Sequence, residues 1–128
     1  MSERGMSVEV RHNFDEVKER ITALLKDEGF GILTEIDVRD TLRKKLEVEF
    51  RRYVILGACN PPFAHAALQV DLEVGLAMPC NVVLYENDRG HTVVLVVDPV
   101  KLIGGDERLL PIASEMRARI ERILAKLA

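Results

Sequence analysis

The sequence predicts an α+β domain: a mainly antiparallel or mixed sheet of about five strands, with two long helices on one face. Three observations carry this reading. Five short runs rich in strand formers occur at 7–11, 31–36, 53–59, 81–85 and 92–97. The last two flank Glu86-Asn87-Asp88-Arg89-Gly90, a hairpin signal that requires antiparallel pairing. Two long segments, after Asn13 and from near Pro111, carry apolar residues at helical spacing.

Residues 7–11 alternate and read as a strand with one wet face. Asn13 is placed as a helix N-cap, with Glu16 three residues on as its capping-box partner. Phe14, Val17, Ile21, Leu24 and Leu25 form that helix's apolar stripe. Gly29 ends it, since glycine takes the left-handed conformation without a Cβ penalty. After the strand at 31–36, Asp37 caps a shorter helix with a single stripe of Val38, Leu42 and Leu46. Arg39, Arg43, Lys44 and Lys45, with Arg51 and Arg52 soon after, make the one dense basic segment. It reads as a solvated face balanced by Asp37, Asp40, Glu47 and Glu49, with an anion patch as the functional alternative.

Residues 53–59 are almost wholly apolar and suit a central strand or one covered on both faces. Gly57 within it marks a bulge or a close backbone approach. Asn60-Pro61-Pro62 opens a third helix, because asparagine caps well and proline in the first turn loses no hydrogen bond. Gly75 closes that segment. Gly90 offers a positive φ to the hairpin, Asp98-Pro99 stops the second hairpin strand, and Gly104-Gly105 marks a mobile loop. Ile112, Met116, Ile120, Ile123, Leu124 and Leu127 stripe the last helix. Residues 2–4 read as a frayed end.

At 128 residues and 48% hydrophobic content, the chain suits one compact domain, 1–128. A chain of this length buries about two-thirds of its unfolded surface and needs no disulfide or metal to fold. A net charge of -3 opposes general nucleic-acid binding, which needs a positive field along the phosphates. No apolar run approaches the ~20 residues that span a bilayer. The first residues have no hydrophobic signal core, and two cysteines make no secreted disulfide framework, so the expected compartment is the cytoplasm.

Three segments resemble a known family. They are Gly29-Phe30-Gly31-Ile32-Leu33-Thr34-Glu35-Ile36-Asp37-Val38, Ile55-Leu56-Gly57-Ala58-Cys59-Asn60-Pro61 and Leu76-Ala77-Met78-Pro79-Cys80-Asn81-Val82-Val83. In this order, across 29–99, they resemble the domain-of-unknown-function family 302. The resemblance implies a curved antiparallel sheet with two helices against it, similar to the TATA-binding-protein-like arrangement. It also implies small, soluble, often dimeric proteins, and it supplies no catalytic residues. The fold likeness implies no DNA binding, because function resides in sites.

The only two cysteines lie in look-alike units, Ala58-Cys59-Asn60-Pro61 and Pro79-Cys80-Asn81-Val82, each at the end of a strand run. Cys59 precedes a helix start, where the dipole favours a thiolate; Cys80 can lie at the same sheet edge. The plain reading is two small buried hydrophobes; the chemical one is a reversible thiol pair. Asn60 is explained as a cap, and Asn81 has less obvious local work. His65 lies on an alanine-rich helix, and His91 decorates the hairpin turn. A zinc or haem site joining Cys59 and Cys80 to His65 or His91 would come from distant segments with no metal spacing, so no cofactor is predicted. No phosphate loop, nucleophile elbow or acid–base pair is present in the sequence.

The resulting expectation is a non-enzymatic binding domain, a homodimer, taking a small-molecule ligand or partner near Cys59, Asn60, Pro61, Cys80, Asn81 and His65. The alternatives are a thiol redox protein using Cys59 and Cys80, and a metal or haem site.

Overall fold

The structure, a computed structural model, describes residues 4–128. Five strands, β1 (Gly5–Val10), β2 (Gly31–Asp37), β3 (Tyr53–Cys59), β4 (Cys80–Glu86) and β5 (Thr92–Val97), form one open sheet in the order β1-β5-β4-β3-β2. Every neighbouring pair is antiparallel. Two long helices, α1 (Phe14–Asp27) and α5 (Leu110–Leu127), pack on one face. The shorter elements are α2 (Val38–Leu46), α3 (Pro61–Val70), a 3₁₀ turn (Leu72–Ala77) and α4 (Pro99–Ile103).

The period-2 pattern decides which face is covered. Val54, Leu56 and Ala58 of β3, Val82 and Leu84 of β4, and Val94 and Val96 of β5 are each at most 4% exposed. They meet Val17, Ile21 and Leu25 of α1 and Ile120, Ile123 and Leu127 of α5. Burying each such large apolar side chain contributes about 1.5–3 kcal/mol. Tyr53, Ile55, Val83, Tyr85, Val93 and Leu95 point to the other face and are only half-buried. The Tyr53 and Tyr85 rings stack there at 5.7 Å. β3 is therefore interior to the sheet, but only its helix-facing side is fully covered.

The local signals operate as expected at several termini. The Asn13 side chain accepts from Glu16 N–H at 2.9 Å, and Asp37 does the same for Asp40. Gly29 and Gly90 hold positive φ values of 90° and 75°. Three of the six basic residues are in ion pairs: Arg52 with Asp15, Arg51 with Asp88 and Lys44 with Asp40.

Several expectations are corrected. β1 begins two residues earlier than 7 and ends at Val10, and β4 takes in Cys80. The register shift lies in β2, between Ile32 and Thr34, opposite Gly57 rather than within β3. Gly75 does not close α3, which ends at Val70; the Asp71 side chain then accepts from Glu73 N–H and starts the 3₁₀ turn. Asp98-Pro99 not only stops β5 but opens α4, with the buried Asp98 accepting from Val100 N–H at 3.0 Å. The Glu16 carboxylate lies 3.6 Å from His12 Nδ1. The frayed end expected at 2–4 lies outside the described residues except for Arg4. No helix among the described residues is long and apolar enough to cross a membrane.

Candidate functional site

Two strand ends meet at one edge of the sheet. β3 ends at Cys59 and β4 begins at Cys80, and the register sets Ala58 directly opposite Cys80. A strand spacing near 5 Å and a rise near 3.3 Å then put the Cys59 and Cys80 Cα atoms about 6 Å apart. α3, the 3₁₀ turn, α4 and the middle of α5 close over this edge and leave a narrow cavity of about 40 Å³. Both cysteines line it. The walls are apolar: Phe63, Ala64 and Ala67 from α3, Leu102 and Ile103 from α4, and Met116 from α5. Met78 and Pro79 complete the rim beside Cys80. The cavity lies between the main core, which Met116 packs against, and a smaller apolar cluster that includes Met78 and Ile103.

Both cysteines are free and half-buried. Desolvation pushes the Cys80 thiol up to about 11, and the nearby Cys59 charge adds to the shift. At neutral pH Cys80 is therefore a protonated, weakly nucleophilic thiol. The pleat also sends successive strand side chains to opposite faces. Cys59, one residue past the partner of Cys80, leaves the strand on a different side, and a direct disulfide would require backbone movement.

Asn60 occupies the cap position of α3 but makes no side-chain cap bond, which corrects the capping role read from sequence. Pro61 and Pro62 remove the first two donors, and the Asn60 side chain turns away from the remaining Phe63 N–H toward the end of α1. The buried Asn60 side chain instead donates to Glu28 O at 3.4 Å. Arg119 Nη1 donates to the same carbonyl at 2.8 Å, and its guanidinium lies 4.8 Å from the Phe63 ring centroid. The orphan carbonyl at the end of α1 thus ties α1, α3 and α5 together behind the cavity. Arg122 binds the Glu28 carboxylate with two bonds, at 2.9 and 3.1 Å, and holds it below the usual carboxylate range.

The remaining candidates lie outside the cavity lining. Pro61 is exposed at the start of α3. Asn81 is exposed and faces Gly57 across the β3–β4 ladder. His65 is exposed, with Nε2 at 2.9 Å from Gln69 Nε2. His91 bonds Glu9 beside the hairpin, and His12 sits near Glu16. No histidine therefore joins the cysteines. Among the described residues, no group of three His, Cys, Asp or Glu side chains is placed to hold a metal ion. A cavity of about 40 Å³ is also far too small for a haem. Sequence reasoning missed Met78 and Phe63, and it read Met116 only as part of a helical stripe. The only signal for them was the succession of small and apolar residues in α3 and the 3₁₀ turn.

Comparison with known proteins matches these features to relatives without a described activity. No functionally curated protein matches the chain. A crystal structure of an uncharacterized conserved protein DUF302 from Bacillus stearothermophilus superposes with a TM-score of 0.91. It is 32% identical, and the match covers 99% of this chain and 100% of that one. The family model described as "Domain of unknown function DUF302" matches residues 6–127. With nearly the whole chain matched and the sheet, helices and strand-end motifs in place, the protein belongs to the DUF302 family.

Proposed function

We propose that the protein is a non-enzymatic binding domain that works as a homodimer and takes a small ligand into the cavity at the Cys59–Cys80 edge. The cavity itself is the observation that carries this reading. It combines apolar walls with two thiols, and its polar lining residue Asn60 is already bonded to Glu28. Its apolar lining is that of a small-molecule site, and its volume of about 40 Å³ suits a ligand of only a few atoms.

The homodimer rests on a different region. α2 has no buried residue, although it carries an apolar stripe. A helix this short is marginal in water unless tertiary packing supports it. Around it, Leu33, Ile36, Leu46, Val48 and Phe50 are 42–66% exposed, and β2 is an open sheet edge. A second copy covering this arm would bury that surface.

A thiol redox role for Cys59 and Cys80 is the second reading, favoured by their neighbouring strand positions. The raised Cys80 thiol and the divergent pleat both oppose it.

Xenon titration followed by backbone amide NMR tests the site, since one xenon atom matches the cavity's volume. Saturable shifts confined to residues around 59–67 and 78–80, abolished in Ala64→Leu, are expected. Absence of saturation, or shifts that persist in Ala64→Leu, would refute the cavity reading. For the dimer, sedimentation equilibrium of wild type and Phe50→Glu should show a dimer and a monomer, respectively; a monomeric wild type removes the dimer proposal.

A further inference from the structure

The chain has two cysteines and four methionines, and both cysteines and two of the methionines line this one cavity. Of the other two methionines, Met6 is in the main core and Met1 lies outside the described residues. We propose that the cavity holds one soft monovalent metal ion, Cu(I), on the thiolates of Cys59 and Cys80, with the thioethers of Met78 and Met116 alongside. This names the ligand class for the binding site proposed above and rests on that reading.

The donor set decides which ion fits. Thiolate and thioether sulfur select Cu(I), whereas zinc, calcium and magnesium favour sites with imidazole, carboxylate or additional thiolates. No carboxylate or imidazole lines the cavity, and the one amide there is committed to a backbone carbonyl. Two thiolates suffice for a low-coordinate monovalent ion, but not for a tetrahedral zinc site.

Geometry also favours an ion over a disulfide. A disulfide requires sulfurs about 2 Å apart. An ion held by two bonds of about 2.3 Å spans up to about 4.5 Å between sulfurs. Both cysteines line the same narrow cavity, where the ion's longer reach lets two thiolates share it without forming a sulfur–sulfur bond. The apolar walls keep water and hard ligands from the ion. Binding is not a redox step: each thiol releases its proton to solvent, two metal–sulfur bonds form, and copper remains Cu(I).

The test is anaerobic titration of the full chain against the coloured Cu(I) complex of bicinchoninate, with a parallel xenon titration. Wild type should withdraw one Cu(I) per chain. Cys59→Ser and Cys80→Ser, each checked for native circular dichroism, should lower affinity by at least about 100-fold. Met116→Leu keeps the packing volume and should lower it by about tenfold. A folded wild type that takes up xenon but leaves Cu(I) on bicinchoninate overturns the ion and leaves the cavity reading standing. A protein that takes up neither overturns both. Undiminished Cu(I) uptake by either folded serine variant also overturns the proposed ligand set.

Discussion

Replacing Gly57 with alanine tests the packing that holds the cysteine edge together. A Cβ at this position would lie 2.2 Å from Thr34 Oγ1 and 2.8 Å from Pro79 Cγ. Both distances are well inside van der Waals contact. Thr34 belongs to the exposed edge strand β2, and its hydroxyl can swing away by changing χ1. Pro79 cannot yield as easily, because its ring is part of the backbone leading directly into Cys80. Overpacking of this kind costs about 1–3 kcal/mol. Alanine also restricts the unfolded chain and so recovers about 0.5–1 kcal/mol. The clash outweighs the recovery, leaving a net loss centred on about 1 kcal/mol. Urea unfolding reads this as a midpoint lowered by about 1 M at an unchanged m-value. In a Thr34→Ala background part of the clash is gone, so the same substitution should cost measurably less, a coupling of at least about 0.5 kcal/mol. A loss below about 0.5 kcal/mol, or equal losses in both backgrounds, would refute the close-approach argument.

Two pH-dependent outcomes follow from the same edge. With its thiol at about 11 against an ordinary 9.0, Cys80 should alkylate with iodoacetamide up to about 100-fold more slowly than free cysteine near pH 8, and burial, the larger cause, should keep it slow in a Cys59→Ser variant. The Cys59 contribution is absent in that variant, so burial alone must sustain the effect; alkylation at the free-cysteine rate would contradict it. The same raised value fixes the sign for stability: the contribution from a neutral Cys80 is full below 9.0 and is lost as pH rises toward about 11. Glu28 has the opposite sign. Arg122 lowers its carboxyl below the ordinary 4.5, so its stabilisation is present above 4.5 and fades as pH falls through the folded value. Glu28→Gln should be less stable than wild type at neutral pH, with the gap closing on acidification; chemical unfolding across the acid range measures it, and a constant gap well below 4.5 would rule out this ion pair as the source.

Legibility in the sequence followed the range of the interaction. Asn13 and Asp37 were identifiable as caps because a cap involves residues three apart, and both make the bond. The hairpin at 86–90 was identifiable for the same reason, down to the positive φ of Gly90. Asn60 shows the limit. Its sequence context is that of a cap, and it occupies the cap position, yet its side chain bonds a carbonyl 32 residues away. α4 was missed because a five-residue helix gives too few turns for periodicity to register.

The sequence by itself determined the type and approximate extent of the main elements, the antiparallel hairpin and the apolar stripes of α1 and α5. These rest on local hydrogen bonding, backbone preference and side-chain period. Only the tertiary structure decided that β3 lies between β2 and β4, that Ala58 faces Cys80, and that Met78, Met116 and Phe63 close around the two thiols. It also showed that the α2 stripe leaves α2 without a fully buried residue. Strand order and register arise from packing among segments far apart in sequence, and no local pattern around either cysteine specifies which segments will form the cavity walls.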